Sequence, residues 1–308
     1  MDCYLEDVIL VSYSLWGRKN VKSVYKAHGG FGHTCYMIIL EDKKYLLKIN
    51  VRHKLKEDID NEIYAHEILA SQLKVPKIVY RGTLRQTREA FFVQEWLDGM
   101  DAKTCMNEMS IDERKEFFYE FGTLIGKMHQ IKNCCYSEDI LCNKTYHSLT
   151  DFCRIRMNNS VLAIEKSNLV SNNFIKEATN KISNKIISLD MNVTPTFVHG
   201  DLHLENVILK DNHIVGLIDF ERCKFLDSYY DFVKLFLWVF EEYSEYYGDF
   251  LNGYEYTNII TDDFSERVGL YLGIEYLYFI EYFGCKYYDP NMLNVYRNKL
   301  ELWTEHSG

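Results

Sequence analysis

The chain has 308 residues, of which 47% are hydrophobic and 26% are charged, and its formal net charge is −10. This composition is typical of a globular protein with a substantial core. The acidic balance argues against a nucleic-acid or anionic-membrane surface and favours a neutral or cationic partner. Neither of the most apolar stretches, 232–240 and 270–283, reaches a membrane-spanning length.

The N-terminal residues and the cysteines predict the cellular compartment. The N-terminus, Met1-Asp2-Cys3-Tyr4, has neither the basic nor the apolar stretch of a secretory signal. The nine cysteines contain no C-x-x-C pair, and an odd number cannot all be bridged. We therefore expect reduced thiols and a cytoplasmic protein.

The first hundred residues are predicted to form strands with one helix. A glycine-dense turn with Gly29, Gly30 and Gly32 precedes the apolar runs 35–40 and 45–49. Glycine lets backbone N–H groups approach phosphate oxygens, so the turn is a candidate phosphate-binding loop, although an ordinary hairpin turn has the same composition.

Lys48 lies within the second of these apolar runs. An unpaired ammonium is costly in a buried strand, so a partner is expected, unless the side chain lies on a solvent-facing side. The helical spacing of residues 57–73 offers two candidate partners, Glu62 and Glu67, and the periodicity does not distinguish them.

Strand-like runs continue at 78–84 and 90–97, and then the character changes to helix. Ser110 and Glu113 form a predicted capping box, followed by a buried stripe that runs to Met128. A long, mostly helical stretch rich in Asn and Ser separates this stripe from His199.

The segment 197–219 carries the clearest chemical signal. Asp201 lies in a loop after the apolar run 196–198, Asn206 opens a second run, and Asp219 closes a third, with Asp211-Asn212 as the turn signal between the second and third runs. Phosphoryl transfer from a Mg-nucleotide needs such a set of oxygen atoms, one carboxylate for the substrate hydroxyl and an amide and a second carboxylate for Mg²⁺. The alternative is a β-hairpin that uses Asp and Asn only as turn formers.

This segment resembles the catalytic loop and metal-binding Asp of the protein-kinase-like fold, where H-x-D-x-x-x-x-N is followed by D-F-G. In particular it is similar to the aminoglycoside phosphotransferase and choline kinase family, which carries H-G-D and replaces D-F-G with I-D-[FW]-E or a similar element. The resemblance implies that Asp201 is the catalytic base and that Asn206 and Asp219 are Mg²⁺ ligands. His203 occupies the place of the catalytic-loop lysine and could contact the γ-phosphate.

The resemblance also extends to the N-terminal region. Lys48 resembles the lysine that contacts the α- and β-phosphates, and the glycine turn resembles the nucleotide-positioning loop, although it departs from G-x-G-x-x-G. A glutamate shortly before a V-P-[KR] element is the usual partner of that lysine, which favours Glu62 and leaves Glu67 as the alternative. Glu95 and Leu97 fall at the hinge, where backbone groups would meet the adenine edge.

The implied fold is a two-lobed α+β protein-kinase-like fold. The small N-terminal lobe, 1–95, is mainly β with one helix, and the C-terminal lobe, 96–308, is mainly helical, with a hinge at 94–99. The helical insertion 130–195 resembles the substrate subdomain of antibiotic and choline kinases. The short connection after Asp219 leaves no room for an activation segment, which argues against a protein kinase, and Asp227 and Asp231 are interpreted as structural caps of the next helix.

The implied reaction is transfer of the γ-phosphoryl group of ATP, with Mg²⁺, to a hydroxyl of a small and cationic molecule. An aminoglycoside or related antibiotic is the first expectation, which would make the protein a resistance phosphotransferase. A metabolic alcohol such as choline, homoserine or a sugar is the second. A nucleotide-binding regulatory module without turnover is the alternative from another class, and a monomer is expected.

Overall fold

The computed structural model describes residues 2–27, 34–50, 56–167 and 169–306. The chain forms two compact units, each assembled from three separate stretches. The first unit contains Met1–Met128, His203–Cys223 and Tyr246–Tyr254. The second contains His129–Leu202, Lys224–Glu245 and Glu255–Gly308.

The secondary structure consists of helices and short strands. The helices are α1 (Leu5–Trp16), α2 (Lys56–Leu69), α3 (Ala102–Cys105), α4 (Ile111–Met128), α5 (Leu149–Ser167), α6 (Asn172–Ser188), α7 (Tyr230–Trp238), α8 (Tyr247–Glu255), α9 (Phe264–Glu281) and α10 (Pro290–His306). The strands are β1 (Ser23–Lys26), β2 (Thr34–Ile39), β3 (Lys44–Ile49), β4 (Ile78–Thr83), β5 (Ala90–Glu95), β6 (Met100–Asp101), β7 (Tyr136–Ser137), β8 (Thr145–Tyr146), β9 (Thr196–Val198), β10 (Val207–Lys210), β11 (His213–Leu217) and β12 (Lys224–Leu226). This α+β composition, with an antiparallel sheet first and helices later, confirms the predicted fold class.

The main sheet of the first unit is antiparallel, in the order β1-β2-β3-β5-β4. One face buries an apolar cluster that includes Tyr36, Leu47 and Val93. Val8 of α1 completes this cluster, and Trp16 stacks on Tyr45 with ring centroids 4.5 Å apart. Helix α1 is an addition to the single helix predicted for this region.

Helix α2 covers the other face of the sheet, where Ile59 and Ile63 pack with Phe92. His66 of the same helix is buried, and its Nδ1 lies 2.8 Å from the Pro76 carbonyl oxygen. A carbonyl only accepts, so Nδ1 carries the proton, and Nε2 has no hydrogen-bond partner among the described residues. The ring edge faces Phe220 at 5.2 Å, so the imidazole is held neutral in apolar surroundings.

A second, smaller sheet of the first unit has the order β11-β10-β6. Its hairpin turns at Asp211 and Asn212, whose φ values of 52° and 63° are those of a type I′ turn. This confirms the turn predicted between the two apolar runs. The predicted capping box is also present, because Glu113 accepts the Ser110 backbone N–H at 2.8 Å where α4 begins.

Helices α4 and α8 of the first unit are in close contact at two glycines, Gly122 and Gly253. A Cβ added at Gly253 would collide with the carbonyl oxygen of Tyr119, and one at Gly122 would collide with that of Phe250. The Thr123 hydroxyl donates to the Gly253 carbonyl at 3.2 Å across the same contact. The small side chains therefore permit a backbone-to-backbone contact that ties residues 246–254 to α4.

Within the described residues, the second unit combines a small sheet, in the order β8-β7-β12-β9, with helices α5, α6, α7, α9 and α10. Helix α9 lies at its centre, in contact with α5, α6, α7 and α10. This position explains the nearly continuous burial of α9, including Tyr271, Ile274 and Leu277. Among the helices of the described ranges, none combines the length and apolar content needed to cross a bilayer.

The two compact units divide the chain differently from the predicted lobes 1–95 and 96–308. Residues 96–128 group with the N-terminal stretch, in part because β6 pairs with β10 and α4 contacts β11. The boundary near residue 95 therefore stays a prediction drawn from the family resemblance.

The α4–α8 contact predicts opposite outcomes for two glycine substitutions in α8. Gly253→Ala should lower the free energy of unfolding by about 1–3 kcal/mol, because the added methyl group overpacks a backbone contact. Gly248→Ala is the matched control, since nothing lies within 4 Å of its added Cβ. The control should be neutral or stabilising by up to about 1 kcal/mol. Urea denaturation of both variants measures the difference, and equal stabilities would contradict the contact.

The buried imidazole predicts a pH dependence of stability. Burial, followed by the nearby charge of Lys48, lowers the pKa of His66 from 6.5 to about 4. Between these two pH values the unfolded chain binds a proton at His66 that the folded chain does not bind. The stabilising contribution of the neutral imidazole is therefore fully present above pH 6.5 and is lost as the pH falls towards about 4. Between pH 7 and 5.5 this amounts to about 1 kcal/mol.

Substitution isolates this contribution. In His66→Gln, the loss of unfolding free energy between pH 7 and 5.5 should shrink by about 1 kcal/mol, as measured by urea denaturation. His147→Gln, at an exposed position, serves as the control and should keep the wild-type dependence. An unchanged pH dependence in His66→Gln would show that the imidazole titrates normally.

Candidate active site

Lys48 is the centre of a charged cluster in the first unit. It lies on β3, between Cys35 of β2 and Phe92 of β5 in the strand register. Its Nζ is 2.6 Å from Glu62 Oε1 and 3.1 Å from Asp219 Oδ1. The Lys48 and Glu62 side chains are 9% and 1% exposed, whereas that of Asp219 is 37% exposed. The cluster is therefore closed on the Glu62 side and open to solvent on the Asp219 side.

The electrostatics of this cluster keep the lysine charged. Burial by itself would lower the pKa of Lys48, but the attraction of Glu62 and Asp219 outweighs burial and raises it. The pairing also decides between the two glutamates of α2: Glu62 pairs with Lys48, as preferred from the sequence, and Glu67 is exposed on the helix.

Asp219 follows the β10–β11 hairpin in an uncommon backbone conformation. Its φ of 67° is in the left-handed region, which non-glycine residues seldom adopt. The preceding residue, Ile218, donates its N–H to the Asn206 carbonyl at 3.0 Å. This bond links the segment that carries Asp219 to the 3₁₀ turn Leu204–Asn206.

Asn206 ends that turn and is buried. Its Nδ2 is 3.0 Å from His203 Nε2, and the other imidazole nitrogen, Nδ1, is 3.5 Å from Glu205 Oε2. Since the amide nitrogen is the atom that faces His203, the amide oxygen is directed away from the ring. His203 thus orients Asn206, while its predicted contact with a γ-phosphate stays a prediction.

The donor chemistry of Asn206 and Asp219 fits Mg²⁺. One amide oxygen and one carboxylate are hard donors, and Mg²⁺ characteristically keeps several waters and completes its shell with substrate phosphates. Within the described ranges, no group of three or more His, Cys, Asp or Glu side chains is arranged to hold a metal. An ion bound by only these two protein side chains would complete its coordination with nucleotide phosphates and water.

Asp201 belongs to the second unit, in the loop that follows β9. The two residues before it are anchored by the buried carboxylate of Asp231. His199 donates its backbone N–H to Asp231 Oδ2 at 2.8 Å, and Gly200 donates to Oδ1 at 2.7 Å. The φ of 76° at Gly200 is a conformation that favours glycine, which explains the G in H-G-D. Asp201 itself is half-buried.

Asp231 was expected to cap a helix, and the structure corrects this. Helix α7 begins at Tyr230, and the side chain of its N-cap residue, Tyr229, makes no capping hydrogen bond. Asp231 instead binds the loop before Asp201, and His129 Nε2 lies 3.0 Å from its Oδ2. Sequence reasoning missed this role because residues 129, 199 and 231 are far apart in the chain and share no spacing pattern.

Asp227 matches its predicted structural role more closely. Its Oδ1 accepts the Tyr229 backbone N–H at 3.1 Å, just before α7. Its Oδ2 accepts from Arg267 at 2.8 Å and from the Tyr271 hydroxyl at 2.6 Å. Asp227 thus ties the start of α7 to α9 inside the second unit.

The remaining predicted site residues are less constrained. Gly29, Gly30 and Gly32 lie outside the described residues. At the predicted hinge, Glu95 donates its N–H to the Lys77 carbonyl at 2.9 Å, and the Leu97 side chain lies against Gly216. These contacts fix the hinge within the first unit, and the predicted adenine contacts of Glu95 and Leu97 stay predictions.

The second unit also contains partly buried ion pairs that no spacing pattern in the chain predicts. Lys224 is 2.9 Å from Glu138, and Arg156 is 2.8 Å from Glu275, although the partners are 86 and 119 residues apart. Burial opposes ionisation of Glu275, but the attraction of Arg156 prevails and lowers its pKa to about 2. These carboxylates are already neutralised within the fold.

Comparison with solved structures identifies the fold. The aminoglycoside phosphotransferase APH(4)-Ia, in a ternary complex with ADP and hygromycin B, matches with a TM-score of 0.73 at 11% identity, over 98% of this chain and 99% of that one. ADP-bound APH(2'')-Ib matches with a TM-score of 0.72 at 17% identity, over 100% and 99%. The streptomycin–ATP complex of APH(2'')-IIa matches with a TM-score of 0.71 at 17% identity, over 98% and 96%.

At these identities the structural likeness establishes the fold and not the substrate. No curated protein sequence matches the chain. A family model described as the phosphotransferase enzyme family matches residues 24–266, which include Lys48, Glu62, Asp201, Asn206 and Asp219. Because this match covers most of the chain, the protein belongs to the phosphotransferase enzyme family.

Proposed function

We propose that the protein is a kinase that transfers the γ-phosphoryl group of ATP to a hydroxyl of an aminoglycoside or related antibiotic. The observation that carries this proposal is the charged Lys48–Glu62–Asp219 cluster in a chain that also has the H-G-D…N motif. A lysine held by a glutamate and a metal-binding aspartate are the parts that this reaction requires.

Each residue of the cluster has a role in this proposal. Lys48, oriented by Glu62, would bind the α- and β-phosphates of the nucleotide. Mg²⁺ held by Asn206 and Asp219 would neutralise charge on the transferred group. The open side of the cluster, at the 37% exposed Asp219 side chain, leaves room for these ligands.

Asp201 would act on the acceptor. Its carboxylate would orient the attacking hydroxyl and accept its proton, and in a loose transition state the orientation matters more than the basicity. Asp231 supports this role because it accepts the backbone N–H groups of His199 and Gly200, the two residues directly before Asp201.

The acceptor class rests on similarity and charge. The relatives described above were solved with hygromycin B and with streptomycin, and another, at 15% identity, with kanamycin. The net charge of −10 favours a cationic acceptor. Since Glu138 and Glu275 are neutralised internally, cation recognition would fall on other, exposed carboxylates.

A coupled ADP-release assay over a panel of acceptors tests the proposal. The panel contains aminoglycosides, macrolides, choline, homoserine and simple sugars, each with Mg-ATP and with Mg-GTP. Phosphorylation of an aminoglycoside supports the proposal, whereas turnover confined to a metabolic alcohol would replace the antibiotic with that alcohol. Nucleotide binding without turnover of any acceptor would favour a regulatory module.

Substitution of Asp201 tests the catalytic assignment. Asp201→Asn should lower kcat by at least about a hundredfold on the best acceptor, because general-base contributions are about 10²- to 10⁴-fold. Its Kd for Mg-ATP should stay within about threefold of the wild-type value, which corresponds to less than 1 kcal/mol. Steady-state kinetics and calorimetry measure the two quantities. A variant that turns over at the wild-type rate would remove Asp201 from the mechanism.

A double-mutant cycle tests the lysine–glutamate pair. Lys48→Ala and Glu62→Ala should impair the same nucleotide-dependent step, and the double variant should lose less than the sum of the two, with a coupling energy of about 1–3 kcal/mol in kcat/KM for ATP. Glu67→Ala, on the exposed side of α2, is the matched control and should retain wild-type kinetics. Additive losses would mean that the pair does not act as a unit.

A further inference from the structure

Two cysteine sulfurs lie close together in the hairpin formed by β7 and β8. Cys135 Sγ is 3.3 Å from Cys142 Sγ, and both side chains are partly accessible. Both residues are free thiols. The neighbouring Cys134 is exposed and provides a natural internal comparison.

The hairpin around the two thiols is well ordered by its own hydrogen bonds. The Asp139 carboxylate accepts the backbone N–H groups of Asn143 and Lys144, each at 3.0 Å. Tyr136 and Ser137 pair with Tyr146 and Thr145 on the opposite strand. The loop thus holds Cys142 beside Cys135, and it does so with a φ of 59° at Cys142, a conformation that is unusual for a non-glycine residue.

A third side chain, that of Asn133, forms hydrogen bonds with both sulfurs. Asn133 directs its Nδ2 at Cys142 Sγ, at 3.2 Å, and at Cys135 Sγ, at 3.6 Å. Cys135 in turn donates its S–H to Cys142 Sγ. Cys142 is therefore the sulfur that accepts from two donors, whereas Cys135 accepts from Asn133 alone among these contacts.

We propose that Cys142 and Cys135 form a thiol–disulfide exchange site that reacts with low-molecular-weight disulfides of the glutathione type. The Cys142 thiolate attacks one sulfur of the external disulfide, forms a mixed disulfide and releases one thiolate. Cys135 then loses its proton to solvent and attacks Cys142 Sγ, which releases the second thiol. The two protein thiols are oxidised to one disulfide, and the external disulfide is reduced to two thiols.

The order of the two steps follows from the surroundings. Burial, followed by the hydrogen bond to Cys142, raises the pKa of Cys135 to about 11, which suits a thiol that resolves a mixed disulfide at close range better than one that attacks first. The resulting bond would close a ring from Cys135 to Cys142 that contains Glu138, the partner of Lys224. This inference does not depend on the proposed kinase activity.

The test uses the full-length protein, equilibrated with reduced and oxidised glutathione at several ratios, then quenched with acid and alkylated. Proteolysis at Glu138 or Asp139 separates Cys135 from Cys142, so that an internal disulfide is detected as two fragments held together. Wild type should lose the mass of two hydrogen atoms in this pair. Cys134→Ser is the matched control and should form the same disulfide.

The single variants test the order of the steps. Cys135→Ser should accumulate glutathione on Cys142, and Cys142→Ser should form no internal disulfide and should react at Cys135 at least about tenfold more slowly than wild type. The melting temperature of each reduced variant checks that it is folded. The proposal is overturned if oxidation links Cys134 instead, if both thiols stay reduced at every ratio, or if Cys142→Ser reacts at Cys135 at the wild-type rate.

Discussion

The ammonium group of Lys48 is buried beside Phe92, and its charge is tolerable there because Glu62 and Asp219 both approach it. Removing the buried Glu62 would leave the ammonium with only the partly exposed Asp219 of these two partners, at a cost of about 3–5 kcal/mol. The strand β3, the helix α2 and the segment after β11 must therefore keep their mutual positions. Of the two carboxylates that contact Lys48, Asp219 is the one that is open to solvent.

The loop that carries Asp201 depends on a different buried charge. Asp231 accepts two consecutive backbone N–H groups, and His129 contacts the same carboxylate. The Asp231 side chain is fully buried, and a buried carboxylate is stable only when hydrogen-bond donors surround it. The loop geometry is thus set by a residue that carries no chemistry of its own, and the H-G-D element and α7 act as one structural piece.

The residues proposed for the site could be selected from the sequence because the family resemblance specifies their spacing. Strands β2 to β5, β9 and β10, the Asp211-Asn212 turn and the preferred pairing of Lys48 with Glu62 were predicted and are present, whereas β1, β6, β7, β8 and β12 were not predicted. Helix α1 and the role of Asp231 were not predicted. Both depend on tertiary contacts between distant residues, which leave neither a period nor a motif. The buried pairs Arg156–Glu275 and Lys224–Glu138 escaped prediction for the same reason.

The contact between α4 and α8 has a consequence for how the protein can be made. The first unit takes Tyr246–Tyr254 from far along the chain, and it also takes β10 and β11. A growing chain that has emerged only to Met128 lacks the partners for Gly122 and for Tyr119. The first unit can therefore complete its core only after residue 254 has left the ribosome. Until then its N-terminal stretch stays partly folded during synthesis. Expression of residues 1–128 alone would yield a fragment with an exposed helix face.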